Sequence, residues 1–316
     1  MDIYKLVSIL ITTKDRLGEL KRTLNSLEPL LSRGLILIIC DDGSTDGTSE
    51  FLKEKYPTAL VIRNKESKGL IFSRNLLMNM VNTVYAISLD DDANILTRNP
   101  ISAIVNYFKK NQKCGVIAFR IYWGIEKPPK AEISEEPLRV RGFVGCGHAW
   151  RMQAWYQIPN YPEWFKFYGE EQFASYHLLM SDWEVHYFPH IFIHHRVDNR
   201  SRKNQKDYIL RTRRSLRSGW YLYVMFLPVK VIIPRIVYSL WIQIKTKVVK
   251  GDSKSTIGIL QAIGDTVINL PKLLQNRTAL SHLEYQTYYE LPDEKIYWKP
   301  KIKHDLSVII SNGPRS

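Results

Sequence analysis

The chain has 316 residues, of which 45% are hydrophobic, and it carries a formal net charge of +14. This composition excludes an intrinsically disordered chain, and the length allows one large domain or one domain with a substantial appendage. The charge is concentrated: residues 200–254 contain fourteen Lys and Arg against two acids, a net +12, whereas the rest of the chain is +2. Such a localised charge suggests an acidic partner surface.

The first hundred residues alternate between strand and helix patterns. The N-terminal apolar run is short, follows a charge and has no small-residue cleavage site, so it predicts a first strand and not a signal peptide. The expected strands are 5–13, 35–40, 59–64 and 84–89, and the expected helices are 16–31, 44–56 and 69–81. Helices of this length between strands indicate an α/β fold with a Rossmann-like, mostly parallel central sheet.

The pattern loosens after residue 100 and changes character near residue 200. Helices are expected at 100–110 and 170–181, and extended segments at 115–123 and 184–196. We therefore divide the chain into an α/β domain, 1–200, and a basic, aromatic, mainly helical C-terminal region, 201–316. The three cysteines, Cys40, Cys114 and Cys146, are odd in number and lack metal-ligand spacing, which indicates reduced thiols in a cytosolic protein.

Two of the expected strands end in carboxylates. One runs into Asp41-Asp42 and another into Asp90-Asp91-Asp92. Ligands of open parallel sheets bind at the carboxyl ends of the strands, and the chain has neither a G-x-G-x-x-G nor a P-loop motif. A site built from carboxylates would hold a phosphate through a divalent cation, which predicts Mg²⁺ or Mn²⁺.

Four segments, "SILITTKDR", "ICDDGSTDGT", "KGLIFSRN" and "SLDDDANI", occur in an order and spacing that resemble the nucleotide-sugar domain of family 2 glycosyltransferases. The resemblance covers roughly the first 200 residues and implies the GT-A fold. It implies that Asp42 binds the nucleotide base, that Thr12 or Thr13 contacts the nucleotide and that Arg74 contacts the pyrophosphate or the base. Asp90 and Asp92 would form the D-x-D metal site, with Asp92 the direct ligand. Asp91 stays a candidate because the register of three aspartates is ambiguous.

The same resemblance places a catalytic base at the start of a helix, after an aromatic, glycine-containing loop. The segment "WFKFYGEEQF" fits this setting but has Glu170-Glu171 where the family has Glu-Asp. Glu171 is the expected base and Glu170 the second choice; the alternative is that both acids only complement a helix N-terminus. An inverting transfer needs such a carboxylate to accept the proton of the acceptor hydroxyl.

Three further residues are assigned by the resemblance. The small-residue segment 142–151 would let the acceptor and sugar approach the backbone, with His148 and Trp150 as acceptor contacts. His195, at the end of an extended segment, would approach the metal or the diphosphate. The Q-x-x-R-W motif of processive synthases does not occur in the sequence, so we expect one sugar to be added per binding event.

The segment 210–250 mixes Trp, Tyr and Leu with many basic residues. Its longest uncharged run, 218–229, has twelve residues, which is too short for the roughly 18–20 that span a bilayer. The pattern predicts a segment that lies among the headgroups of an anionic membrane surface, through residues 200–254. The alternatives are an ordinary helical subdomain with a basic face, or nucleic-acid binding, for which no recognised motif is present.

The resemblance to family 2 glycosyltransferases, taken with the carboxylates at the strand ends, predicts a metal-dependent, inverting glycosyltransferase. The donor would be a nucleotide-diphosphate sugar, UDP- or dTDP-linked, and the acceptor a lipid-linked saccharide or polysaccharide of the cell surface. The segment 273–291 resembles the tail of bacterial transferases that build surface polysaccharides. We expect a cytoplasmic protein, peripheral on the inner face of the membrane, with no nucleic-acid partner. The alternatives are a nucleotidyltransferase on a related α/β core, or a membrane-docked nucleotide-sugar-binding protein without catalysis.

Overall fold

A computed structural model describes residues 2–128, 135–197 and 207–293. Residues 200–206 of the basic segment and residues 294–316 of the expected C-terminal region lie outside the described residues. The strands are β1 (Val7–Thr13), β2 (Ile36–Asp41), β3 (Leu60–Arg63), β4 (Tyr85–Asp90), β5 (Ala93–Ile95), β6 (Cys114–Trp123), β7 (Leu138–Val140), β8 (Gly147–Arg151) and β9 (Glu184–His195).

The helices cover both faces of the sheet and make up the C-terminal region as far as it is described. They are α1 (Leu17–Leu31), α2 (Thr48–Lys55), α3 (Leu70–Asn79), α4 (Pro100–Lys110), α5 (Met152–Trp155), α6 (Glu170–Met180), α7 (Tyr208–Phe226), α8 (Val229–Gln243), α9 (Ser253–Ile268), α10 (Leu270–Gln275) and α11 (His282–Glu290). None of the described helices is both long and apolar enough to cross a bilayer.

The strands form one sheet in the order β3-β2-β1-β4-β8-β6-β9-β5, with β7 paired to β9. The pairings among β1 to β4 are parallel, as expected. The expectation of a mostly parallel sheet is nevertheless wrong, because β8 pairs antiparallel with both β4 and β6, and β5 and β7 pair antiparallel with β9. The sheet is mixed because β8 returns beside β4 in the opposite direction.

The register of β1, β2 and β4 places their carboxyl ends level with one another. Thr13 of β1 lies opposite Asp41 of β2, and Thr12 lies opposite Asp90 of β4. Side chains alternate between the two faces of a strand, and both faces here are buried: Ile9 and Ile11 pack on the side of α1 and α4, and Leu10 on the side of α3. The apolar runs are explained by this double burial.

Helix α7 joins the C-terminal region to the core of the sheet. Its Tyr221 and Phe226 belong to the same buried cluster as α3 and α6. Asp265 of α9 accepts hydrogen bonds from Arg213 at 2.6 and 2.7 Å and from Arg217 at 3.0 Å, and Arg217 donates to the Phe165 carbonyl oxygen at 2.7 Å. The ion pairs therefore fix α7 between α9 and the loop that precedes α6.

This arrangement predicts that Asp265→Ala destabilises the fold. The carboxylate is 9% exposed, and its removal leaves two guanidinium groups without their partner, which should lower the free energy of unfolding by about 2–4 kcal/mol. Glu54→Ala is the control, because Glu54 pairs with Lys55 at an exposed site on α2, and its loss should change the stability far less. Urea unfolding measures both; equal losses for the two variants would contradict the assignment.

Candidate active site

Asp42 follows β2 and holds the loop that leads into α3. Its carboxylate accepts hydrogen bonds from the Asn64 side chain at 2.7 Å, the Ser67 hydroxyl at 2.7 Å, and the backbone N–H groups of Lys68 at 2.8 Å and Gly69 at 2.9 Å. Burial by itself raises the pKa of Asp42, but these four hydrogen bonds hold it below its ordinary value. Asp42 is therefore an ionised group at the rim of a cavity of about 320 Å³, with its oxygens engaged by the protein.

The end of β1 contributes two threonines to the same cavity. Thr12 and Thr13 both line it, and the Thr13 hydroxyl donates to Asp91 at 2.8 Å. Burial raises the pKa of Asp91 to about 7, although the Arg16 charge opposes the shift. Arg16, which the sequence reasoning did not select, lies 3.2 Å from Asp91 and 2.5 Å from Asp92. Asp91 is thus bound to Thr13 and Arg16.

Asp90, Asp92 and His195 come together from the end of β4 and the end of β9. Each offers one ligand atom, and these atoms lie within 4.8 Å of one another. His195 Nε2 is 2.9 Å from Asp92 Oδ1 and 3.8 Å from Asp90 Oδ2. Burial raises the pKa of Asp92, but His195 and Arg16 lower it to about 2, so this carboxylate is ionised.

The cluster has the unsatisfied polar atoms that a metal site requires. His195 Nδ1 is buried and has no hydrogen-bond partner within the described residues, and Asp92 Oδ1 is buried with only the 2.9 Å contact to His195 Nε2. Leaving such atoms without a partner costs free energy. Two carboxylates with one imidazole form a donor set that a divalent cation satisfies, and Mn²⁺ accepts both kinds of ligand. The residues present therefore fit the expected cation.

Arg74 lies on α3 and is 6% exposed. Its guanidinium donates to Asp90 at 2.9 Å, to Glu170 at 2.7 Å, to the Gly145 carbonyl oxygen at 3.0 Å and to Glu171 at 3.5 Å. Burial lowers the pKa of Arg74, but the three carboxylates outweigh burial and raise it. The sequence placed Arg74 beside the pyrophosphate or base of the nucleotide; the structure places it between the strand-end acids and the start of α6.

Glu170 and Glu171 begin α6, after Gly169 in the left-handed conformation at φ +93°. The Glu170 side chain is 2% exposed and that of Glu171 25%. Burial raises the pKa of both carboxyl groups, and their mutual repulsion raises that of Glu170 further. A Cβ at Gly145 would lie 2.6 Å from an Arg74 nitrogen and would collide with the Glu171 carboxylate, so only glycine allows this close approach.

The two expected acceptor contacts are buried. Trp150 is fully buried and packs edge-to-face on Phe143 and Trp155. His148 is 1% exposed, its Nδ1 lies 3.1 Å from the Val144 carbonyl oxygen, and it borders only a narrow cavity of about 10 Å³. Both residues therefore form the core beneath the site, and neither presents an atom to an acceptor in this conformation.

Three cavities lie in series along the site. The first, with Asp42, and the second, of about 280 Å³, share Asp90, His195 and Arg211. The second and the third, of about 340 Å³, share Phe143 and Glu171. Glu171 therefore lies at the junction between the metal-ligand cluster and the third cavity.

The sequence reasoning missed Arg211 of α7, which lines the first two cavities. Its guanidinium lies 5.7 Å from the Phe167 ring centre and pairs with Asp207. Phe167 and Tyr168 belong to the loop before α6, in which Lys166 and Tyr168 adopt positive φ angles of 67° and 69°. In the sequence, Arg211 is marked only as one of the basic residues of 200–254. That position does not indicate that its side chain faces the site.

Residues 8–182 match the family model of glycosyl transferase family 2. The match covers more than half of the chain, so the chain belongs to glycosyl transferase family 2. No protein of curated function matches the sequence.

Solved structures with the same fold include two proteins of low sequence identity. The mannosyltransferase PcManGT from Pyrobaculum calidifontis, in complex with GDP-Man and Mn²⁺, is 12% identical with a TM-score of 0.51, over 90% of this chain and 83% of that chain. Residues 1–349 of TarS from S. aureus are 14% identical with a TM-score of 0.54, over 86% of this chain and 83% of that chain. At these identities the likeness shows the fold, which is that of GT-A glycosyltransferases.

The burial of His148 predicts an acid-sensitive stability. Burial lowers the pKa of His148 from 6.5 to about 3, so between these values the unfolded chain binds a proton that the folded chain does not. Stability should therefore fall as the pH drops below 6.5, by about 1.4 kcal/mol per pH unit for this group. His148→Asn removes this contribution, which urea unfolding at pH 7.5, 6.5 and 5.5 measures.

The control for this measurement is His282→Asn, because His282 is exposed and its surroundings change little on unfolding. The His282 variant should keep the pH dependence of the unmodified protein. If the His148 variant also kept it, His148 would not be held neutral by the fold.

Proposed function

We propose that the chain is a metal-dependent, inverting glycosyltransferase that transfers one sugar per binding event from a nucleotide-diphosphate sugar to a saccharide acceptor. The observation that carries the proposal is the position of Glu171, which lines one cavity together with Asp90 and His195. A carboxylate and a metal-ligand cluster on the same cavity are what a direct displacement at the anomeric carbon requires.

Asp90, Asp92 and His195 would hold the divalent cation, Mn²⁺ or Mg²⁺. When bound, the cation neutralises the charge of the diphosphate leaving group. Thr12, Thr13 and Asp42 line the cavity next to this cluster and would hold the nucleoside. The structural neighbour PcManGT is complexed with GDP-Man and Mn²⁺, which supports a donor of this class, UDP- or dTDP-linked here.

Glu171 is the better candidate for the base, since its side chain is more exposed than that of Glu170 and reaches two cavities. Arg74 holds Glu170 at 2.7 Å but Glu171 only at 3.5 Å. In the reaction Glu171 accepts the proton of the acceptor hydroxyl, whose oxygen bonds to the anomeric carbon while the bond to the diphosphate oxygen breaks. Burial raises the pKa of Glu171, which makes its carboxylate a stronger proton acceptor.

The acceptor in this proposal is lipid-linked or part of a surface polysaccharide, and α8 would bring the enzyme to it. Four exposed apolar residues of α8 recur every fourth position, Val229, Ile233, Val237 and Trp241, and therefore form one stripe. Lysines border the stripe at 230 and 245, and Lys245 lies 4.9 Å from the Trp241 ring centre. An apolar stripe with a basic border fits the surface of an anionic membrane, where we place the protein on the cytoplasmic face.

Asp92→Asn and Glu171→Gln separate the two halves of this proposal. Asp92→Asn should abolish Mn²⁺-dependent binding of UDP and transfer, because the cluster loses a charged ligand. Glu171→Gln should keep UDP binding while transfer falls about 10²-fold or more, because the proton acceptor is lost. Calorimetry with UDP and Mn²⁺ and an assay of released nucleoside diphosphate are the measurements.

Retained transfer by Asp92→Asn would refute the metal assignment. Release of pyrophosphate in place of a nucleoside diphosphate would indicate a nucleotidyltransferase. If both the unmodified protein and Glu171→Gln bind UDP but neither transfers a sugar, the chain is a binding protein without catalysis.

Ile233→Glu tests the membrane surface. It places a charge in the middle of the stripe and removes an apolar side chain, and losing the burial of one such side chain costs about 1.5–3 kcal/mol. Co-sedimentation with phosphatidylglycerol vesicles should therefore weaken about tenfold or more. Val84→Glu is the matched control, because Val84 is an exposed apolar residue next to the start of β4, at the end of that strand away from Asp90. Equal binding of both variants would contradict the role of α8.

A further inference from the structure

The third cavity, of about 340 Å³, is built from both parts of the chain. Gln172 of α6, Phe143 and Arg141 line it from the catalytic side, and Tyr223 of α7 and Arg235 of α8 from the C-terminal side, together with two tyrosines of α11. Its volume lies within the range of small-ligand sites. It has no part in holding the donor in the proposed function, yet Glu171 lines it.

The lining combines aromatic faces with polar groups. Phe143, Tyr223, Tyr288 and Tyr289 are the aromatic residues of the lining, and Gln172 is a polar one whose amide N–H donates to the Tyr176 hydroxyl at 3.0 Å. Aromatic side chains with a polar tip offer an apolar face and a hydrogen bond at the same place. A sugar ring, which has apolar C–H faces and a hydroxyl edge, matches this combination.

The two arginines of the cavity differ in their partners. Arg141 forms an ion pair with Asp293. Arg235 lies 4.7 Å from the Tyr289 ring centre and donates to the Tyr285 hydroxyl at 3.3 Å, and no carboxylate of the described residues forms an ion pair with it. A half-buried guanidinium without a carboxylate is a site for a phosphate or carboxylate group.

We infer that the third cavity is the acceptor site, and that it takes a saccharide carrying an anionic group, which Arg235 binds while a hydroxyl lies beside Glu171. This inference rests on the proposed function and specifies its acceptor. The anionic group is either a phosphate, as in a phosphate-linked lipid carrier, or the carboxylate of an acidic sugar. Both bind a guanidinium by the same charge-assisted hydrogen bonds.

Calorimetry on the full chain saturated with UDP and Mn²⁺ tests the inference, with glucose 1-phosphate, glucuronic acid and glucose as probes. The anionic probes should bind about tenfold or more tightly than glucose, and Arg235→Gln should remove this advantage. Arg98→Gln is the matched control, since Arg98 is an exposed arginine that precedes α4 and does not line the cavity. A preference for the sugar phosphate points to a lipid carrier, and a preference for glucuronic acid to an acidic sugar.

If Arg235→Gln does not fold, Gln172→Ala keeps the test available, and it should weaken all three probes. The inference is overturned if neither anionic probe binds better than glucose, or if Arg235→Gln binds them as well as Arg98→Gln does. Binding of UDP with Mn²⁺ is measured in the same samples. If the unmodified protein does not bind UDP with Mn²⁺, the proposed function is refuted. If it binds UDP but shows no preference for the anionic probes, only the acceptor assignment is refuted.

Discussion

The site is organised around one buried positively charged side chain, that of Arg74. Arg74 binds three carboxylates from two places in the sequence, Asp90 at the end of β4 and the Glu170-Glu171 pair at the start of α6. Without it, these carboxylates would face one another in a poorly solvated space, at a cost of several kcal/mol for each buried charge. The guanidinium also binds a backbone carbonyl oxygen at Gly145. The metal-ligand side and the base side of the site are therefore connected through a single residue.

Different parts of the chain line the three cavities. The parallel half of the sheet ends at the first cavity, with Thr12 and Asp42, and β9 brings His195 to the second. Phe143, which precedes β8, lines the second and third cavities together with Glu171, and α7, α8 and α11 contribute to the third. The C-terminal helices are thus part of the site as well as of the core.

The sequence predicted the parallel half of the fold well, because buried strands and amphipathic helices leave clear patterns. It also pointed to Asp90, Asp92 and His195, which the structure brings together. It did not predict the antiparallel half, because strand direction depends on long-range pairing. His148 and Trp150, which the resemblance assigned as acceptor contacts, are buried because β8 lies between β4 and β6, with both of its faces covered. Arg211 faces the site only through the packing of α7.

Gly145 has a genetic consequence. Every amino acid reached by a single-base change from a glycine codon has a β-carbon, and at this position that atom would overlap the Glu171 carboxylate and crowd Arg74. A missense change of this codon would therefore displace at least one of these two charged groups. Separating the Arg74 guanidinium from the carboxylates that it neutralises would lower the stability of the protein as well as its activity.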